Sequence, residues 1–338
     1  MRNEIVLEVK NLKTHFISSK GTAKAVDGID FVLRKGETLG IVGESGCGKS
    51  MTSLSILRLI PSPPGKIVDG EVLLNGKDLV TMSNAELRKI RGNKISMIFQ
   101  EPMTSLNPVI PVGEQISEAL RLHQGLSKKA AWDKSVEMIG LVGIPSPEKR
   151  AKQEPFQLSG GMRQRVMIAM ALACTPEVLI ADEPTTALDV TIQAQILEIM
   201  KDLQRKIGMG IIFITHDLGV VAEMCDQVAV MYAGQIVEHQ NTAELFKNPL
   251  HPYTQGLIGS LPKLYEDQDE LQTIEGTVPS PYDYPEGCRF AERCPYARDI
   301  CVEKQPNLIK YDEDSKVRCW KYTDEWQHSF LTKGMVTT

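Results

Sequence analysis

Residues 43–50 read Gly43-Glu44-Ser45-Gly46-Cys47-Gly48-Lys49-Ser50, the pattern G-x-x-x-x-G-K-S. The chemistry this spacing can do is phosphate binding. Glycines let successive backbone N–H groups converge on one anion, and a helix starting at the lysine adds positive potential. Lys49 can then reach the β- and γ-phosphates of a nucleotide, and the Ser50 hydroxyl can sit on Mg²⁺. Asp182 and Glu183 close the apolar run Val178-Leu179-Ile180-Ala181. Alone, two acids at a strand end are ordinary solvated residues. Downstream of a phosphate loop they gain roles: Asp182 holds Mg²⁺, directly or through water, and Glu183 polarises an attacking water as general base. Between these motifs stands Leu158-Ser159-Gly160-Gly161-Met162-Arg163-Gln164-Arg165. Ser159, Gly160 and Gly161 at a helix start would make a second phosphate-binding N-terminus.

Four cysteines form a separate constellation, Cys288-x5-Cys294-x6-Cys301-x17-Cys319. Four thiolates in a short segment suit a tetrahedral zinc or an iron–sulfur cluster. Neither C-x2-C zinc knuckles nor the C-x2-C-x2-C ferredoxin run occurs, so the spacing leaves zinc, a cluster, free thiols and disulfides all open. In a reducing compartment metal comes before disulfide. Cys47 inside the glycine loop reads either as a tolerated small residue or as an oxidisable thiol activated by a helix N-terminus. Cys174 and Cys225 lie in apolar runs and read as core.

The elements that must hold these groups alternate. Ile5–Val9, Phe31–Leu33, Thr38–Val42, Ile95–Phe99, Val178–Ala181 and Ile211–Ile214 read as strands. Lys49–Leu59, a continuous stretch from about 112 to 142, and Val190–Ile207 read as helices. Ser83 followed by Glu86 is a capping box that starts another. Fully apolar strands alternating with helices predict a parallel sheet covered on both faces, an α/β fold. After residue 248 prolines multiply and helical periodicity fades, so 1–248 reads as the core and 249–338 as a loop-rich extension.

Composition narrows the classes. With 338 residues and 42% hydrophobic content the chain can bury a core, which excludes disorder. A net charge of −5 argues against a non-specific nucleic-acid binder. No apolar run approaches a membrane span and no signal peptide is evident, so a cytoplasmic protein is expected.

The Leu158–Arg165 segment, placed between the glycine loop and the Asp182-Glu183 pair, resembles the signature of ABC-transporter ATPases. The resemblance implies a P-loop ABC core over 1–248: a RecA-like mixed sheet, an antiparallel β subdomain and a helical subdomain at about 84–160. It implies ATP and Mg²⁺ as ligands. It assigns Gln100 to the Q-loop, touching Mg²⁺ or the water. Ala187-Leu188-Asp189 becomes the D-loop, His216 the switch histidine at the γ-phosphate, and Phe16 the adenine-stacking aromatic. Two such subunits bind head to tail, each ATP lying between one P-loop and the other's signature.

Phe99-Gln100-Glu101-Pro102-Met103-Thr104-Ser105-Leu106-Asn107-Pro108 and His251-Pro252-Tyr253-Thr254, with Leu257 and Leu261-Pro262, resemble segments of the importers for dipeptides, oligopeptides and nickel. That resemblance implies a [4Fe–4S] cluster on Cys288, Cys294, Cys301 and Cys319 in a small metal-binding extension, with zinc as the alternative. It implies a related second ATPase subunit as heterodimer partner, two transmembrane permease subunits and an external peptide-binding protein, with no nucleic acid. The site would be the cytoplasmic face of the membrane. A soluble ABC ATPase acting on DNA or ribosomes would carry a long coiled-coil insert, a second cassette or basic arms, and none is visible.

Overall fold

A computed structural model describes residues 4–100, 105–186, 189–261 and 273–329. The chain divides into two compact units, residues 1–7, 32–38 and 74–214 in one, and 8–31, 39–73 and 215–338 in the other.

The first unit is built on the parallel strands Ile95–Ile98, Val178–Asp182 and Gly210–Ile214, in register with Ile98 beside Ala181 and Ala181 beside Phe213. Every residue of the latter two is buried, as continuous apolar runs require in a sheet covered on both faces. The Ser83 capping box forms as expected: its hydroxyl accepts from the Glu86 N–H, and the Glu86 carboxylate accepts from the Ser83 N–H at 3.0 Å. The helix expected over 112–142 is two helices, Val112–Gln124 and Lys128–Leu141. Gly125 stops the first with φ 66°, and Ser127 caps the second. The long helix spans Val190–Ile207 as expected, between its Asp189 cap and Gly208 at φ 73°.

In the second unit the Thr38–Val42 strand runs parallel to Gln227–Tyr232, which turns through Ala233-Gly234 into antiparallel Gln235–Asn241. Both turn residues have positive φ, 47° and 81°, the geometry that matches strand twist in a two-residue hairpin. Lys316–Val317 and Ile309–Lys310 extend the same sheet. The extension beyond 248 therefore adds two strands to the sheet that carries the glycine loop. A second sheet centres on Ile5–Ser18, far longer than the expected Ile5–Val9, between Gly21–Arg34 and Gly65–Leu74.

Glu238 anchors the start of the extension. It is fully buried on the Gln235–Asn241 strand, and its carboxylate accepts from the N–H groups of Leu250 at 2.8 Å and His251 at 2.7 Å. Burial pushes its pKa up, against these hydrogen bonds. Among the described residues no helix is long and apolar enough to cross a membrane. Glu238→Ala leaves two buried N–H groups unpaired and should cost on the order of 3 kcal/mol, read from the midpoint of chemical denaturation.

Candidate nucleotide site and thiol pocket

The glycine loop follows the buried Thr38–Val42 strand and opens the Lys49–Ile56 helix, three residues shorter than expected. Two of its glycines are sterically required. A Cβ on Gly43 (φ 150°) would lie 2.2 Å from the Met231 carbonyl oxygen, and one on Gly48 (φ 108°) would lie 2.4 Å from that of Ala25. Gly46 has φ 80° and open space around it, with Ser45 and Gly46 both exposed. Lys49 is 6% exposed, and its Nζ donates to the carbonyls of Gly43 at 2.6 Å and Glu44 at 3.1 Å. Ser50 is half-buried at the first turn, which holds no acidic residue, so the N-terminal potential stays positive.

Cys47 is 1% exposed, and burial raises its pKa, outweighing the nearby Lys49 charge. The oxidisable-thiolate reading of Cys47 thus gives way to a small packed residue. Cys174 is buried as expected, whereas Cys225 is only partly so. Phe16 is half-buried against the backbone of Gly65: a Cβ there would stand 3.0 Å from its Cε1. His216 is exposed between two pinned residues. The Thr215 hydroxyl accepts from the Asp217 N–H at 3.0 Å, and Asp217 caps the Leu218–Met224 helix.

The first unit holds the acids. Asp182 ends its strand 3% exposed, and Glu183 follows at φ 46°, a left-handed conformation that costs a non-glycine residue about 1–3 kcal/mol. The Glu183 N–H donates to Ile214 at 2.9 Å, and its Oε2 accepts from Gln100 Nε2 at 3.0 Å and Thr186 Oγ1 at 3.0 Å. A carboxylate so held is aimed, which is what a water-activating base requires. Thr186 was not singled out from the sequence; a hydroxyl three residues past the acid was the available signal.

Ser159 caps the Gly160–Leu172 helix, accepting from the Met162 N–H at 3.3 Å. A Cβ on Gly161 would meet Ile192 Cγ2 at 3.1 Å, but one on Gly160 would meet nothing within 4 Å among the described residues. Gly161 is therefore explained by packing and Gly160 is not. Buried Gln164 donates to the Pro184 carbonyl, tying this helix to the segment after Glu183. Asp189 caps the long helix, accepting from the Ile192 N–H at 2.9 Å. Ala187 and Leu188, Glu101–Thr104 and Pro262 lie outside the described residues.

Cys288, Cys294, Cys301 and Cys319 line one small apolar pocket with His251, Phe290 and Trp326, and all are free thiols. The Cys288 N–H donates to the Cys301 carbonyl at 2.7 Å, an approach open only because Gly287 lacks a Cβ, which would sit 2.2 Å from that oxygen. Burial pushes Cys288 and Cys319 up to about 12 and Cys294 up to about 11, and raises Cys301. Among the described residues no three His, Cys, Asp or Glu are drawn together tightly enough to hold a metal ion.

The ABC transporter family model matches residues 26–186, and that of the oligopeptide/dipeptide transporter C-terminal region matches 237–301. The oligopeptide transport ATP-binding protein AppD of Bacillus subtilis is 55% identical over 320 residues, covering 95% of this chain and 98% of that protein. The oligopeptide transport ATP-binding protein OppD of the same species is 57% identical, over 93% of this chain and 88% of that one. The chain belongs to the ATP-binding proteins of oligopeptide and dipeptide ABC transporters. The fold agrees: a dimeric ATP-binding cassette solved in a post-hydrolysis state with ADP and Pi superposes with a TM-score of 0.63 at 28% identity, covering 70% of this chain and 98% of that one. As in the family, this chain is an ATPase. Gly160→Ala should leave the thermal midpoint unchanged yet depress ATP hydrolysis at least ten-fold, since only an approaching ligand needs the space (about 1.4 kcal/mol per decade). Gly161→Val should instead lower the midpoint, by pressing on Ile192.

Proposed function

We propose that this chain is the energy-coupling ATPase of an importer for oligopeptides or dipeptides, working on the cytoplasmic face of the membrane through permease subunits. The observation that carries this is the coexistence in one chain of the glycine loop with its buried Lys49, the aimed Glu183, and a C-terminal region matching the oligopeptide/dipeptide type. Relatives named for peptides favour this over nickel.

In the reaction, the N–H groups of Gly43–Ser50 cradle the phosphates and Lys49 exchanges its carbonyl partners for the β- and γ-phosphate oxygens. Ser50, Asp182 and Gln100 would hold Mg²⁺, which when bound neutralises phosphate charge. Glu183, fixed by Gln100 and Thr186, takes the proton of the attacking water. His216 contacts the γ-phosphate, and Phe16 stacks on the adenine. Ser159 and Gly160, with Asp189 at the interface, meet the ATP of a second, related ATPase subunit, a role for which the space beside Gly160 among the described residues is suited. ATP then favours the closed dimer by binding it more tightly than the open one, and hydrolysis removes that difference. Beside Gln100, Met97, Phe99, Ser105, Met167 and Met170 line an adaptable apolar groove suited to receive a permease segment. Peptide itself is selected by the permeases and an external binding protein.

We read Cys288, Cys294, Cys301 and Cys319 as the ligands of a [4Fe–4S] cluster, with zinc as the alternative. Four free thiols from separate turns line one apolar pocket, the number and kind of ligand such a cluster takes. When bound, the cluster would add a cross-link to this loop-rich segment.

Glu183→Gln should bind ATP and accumulate as a closed dimer with hydrolysis reduced at least 100-fold, measured by size exclusion with ATP and phosphate release; hydrolysis at the wild-type rate would sink the assignment. Anaerobically purified protein should contain about four irons and four sulfides per chain, and Cys288→Ser should bleach its visible absorbance. Zinc instead, or iron unchanged in the variant, would refute the ligand set.

A further inference from the structure

We infer that Tyr253 and Arg293, from the C-terminal extension, are positioning residues of the phosphate-binding loop: they grip Glu44 and through it set the orientation of Lys49 and the affinity for ATP. Tyr253 Oη accepts from the Glu44 N–H at 2.8 Å. A peptide group is planar, so fixing the Glu44 N–H fixes the Gly43 carbonyl on its other side. That carbonyl is the one that Lys49 Nζ bonds at 2.6 Å. Arg293 grips the side chain of the same residue with both arms, Nη1 to Oε2 at 2.9 Å and Nη2 to Oε1 at 3.1 Å.

Both gripping residues are rigid. Tyr253 is fully buried, its ring 4.7 Å from that of Tyr232 and 5.5 Å from that of Phe290. Its place in the chain is set one step back. His251 Nδ1 accepts from the Tyr253 N–H at 3.1 Å, Pro252 starts the helix, and Glu238 holds the N–H of His251. The His-Pro-Tyr run is thus a helix cap, a helix start and a tyrosine delivered to the phosphate loop. The Arg293 side chain is 6% exposed and all five of its N–H groups are used. Besides Glu44, they reach Glu275 O at 2.8 Å, Ile274 O at 3.1 Å and Tyr232 Oη at 3.3 Å. Arg293 also performs an electrostatic task. Glu44 places a carboxylate within the loop that must receive an anion, and the bidentate guanidinium compensates that charge.

The inference rests on the ATPase assignment and holds whatever the thiol pocket binds. The test is the dissociation constant of ATP–Mg²⁺, by titration calorimetry on the full chain, with thermal midpoints alongside. Tyr253→Phe keeps the ring and removes the acceptor. It should weaken ATP binding about five-fold, the value of one hydrogen bond near 1 kcal/mol, with an unchanged midpoint. Arg293→Met should weaken it about ten-fold or more, and Glu44→Gln in that background should restore much of the loss, because the stranded charge is gone. A merely structural Arg293 would show no such rescue. Wild-type affinity in Tyr253→Phe, or no rescue by Glu44→Gln, overturns the inference; if Tyr253→Phe lowers the midpoint, the rescue arm decides. Lys49→Ala serves as reference: undiminished affinity there would overturn the nucleotide site itself.

Discussion

The constraint on which this molecule turns is a buried cation that must stay available. Lys49 is 6% exposed, and a buried ammonium needs partners. A carboxylate would satisfy it but would also cancel its charge. The chain supplies carbonyl dipoles instead, those of Gly43 and Glu44. They hold the ammonium without cancelling its charge. This choice dictates the loop. Gly43 and Gly48 adopt positive φ against the backbones of Met231 and Ala25, where any Cβ would clash. The hairpin through Ala233-Gly234 in turn brings Gly234 to bond the Cys47 carbonyl at 2.9 Å. The one carboxylate in the loop, Glu44, is turned outward into the guanidinium of Arg293.

The first unit solves the opposite problem, a carboxylate that must be aimed without being neutralised. Glu183 takes hydrogen bonds from an amide and a hydroxyl, neither of which carries charge. Its left-handed backbone turns the chain sharply away from the Val178–Asp182 strand just after Asp182. The strain is sustained by the Ile214 bond behind it and by Gln164 on the Pro184 carbonyl. The cation and the carboxylate share one design: neutral dipoles hold each charge in place without cancelling it.

What the sequence made legible follows from how local each signal is. The Ser83–Glu86 box is decided within four residues and forms where those residues place it, and the Val190–Ile207 helix, carried by its own apolar pattern, runs over the expected residues. The break at Gly125 was equally local but hidden by apolar periodicity continuing across it. The strand pairings around Gly65–Leu74 and Gln235–Asn241 depend on partners far along the chain, so Ile5–Ser18 read as less than half its length. Motif residues could be singled out because phosphate chemistry prescribes their spacing. Arg293 and Glu238 were not, because their meaning comes from Glu44 and from the N–H groups of Leu250 and His251, and no spacing rule connects those. Cys47 shows the converse: its position at a helix start suggested an activated thiol, and only its burial shows that desolvation wins over the nearby lysine.

The same comparison bears on what the C-terminal extension is. Read from composition it is a proline-rich appendage; read from contacts it is part of the nucleotide unit. Val317 is fully buried in a strand paired with Glu238, and Arg318 donates to the Ile236 carbonyl at 3.0 Å. Arg289 bonds both the Ala233 carbonyl and Asp27; burial opposes ionisation of that aspartate, but the guanidinium prevails and holds its pKa low. These contacts fall on the Ala233-Gly234 hairpin and its strands, the same elements against which Gly43 and Gly48 pack. A segment that only tethered a cofactor would not need to bind the turn behind the phosphate loop, nor spend its most buried tyrosine on that loop's backbone. The prolines and the weak periodicity mark a segment whose order comes from fixed points, Glu238, Arg289 and Arg293, more than from its short helices.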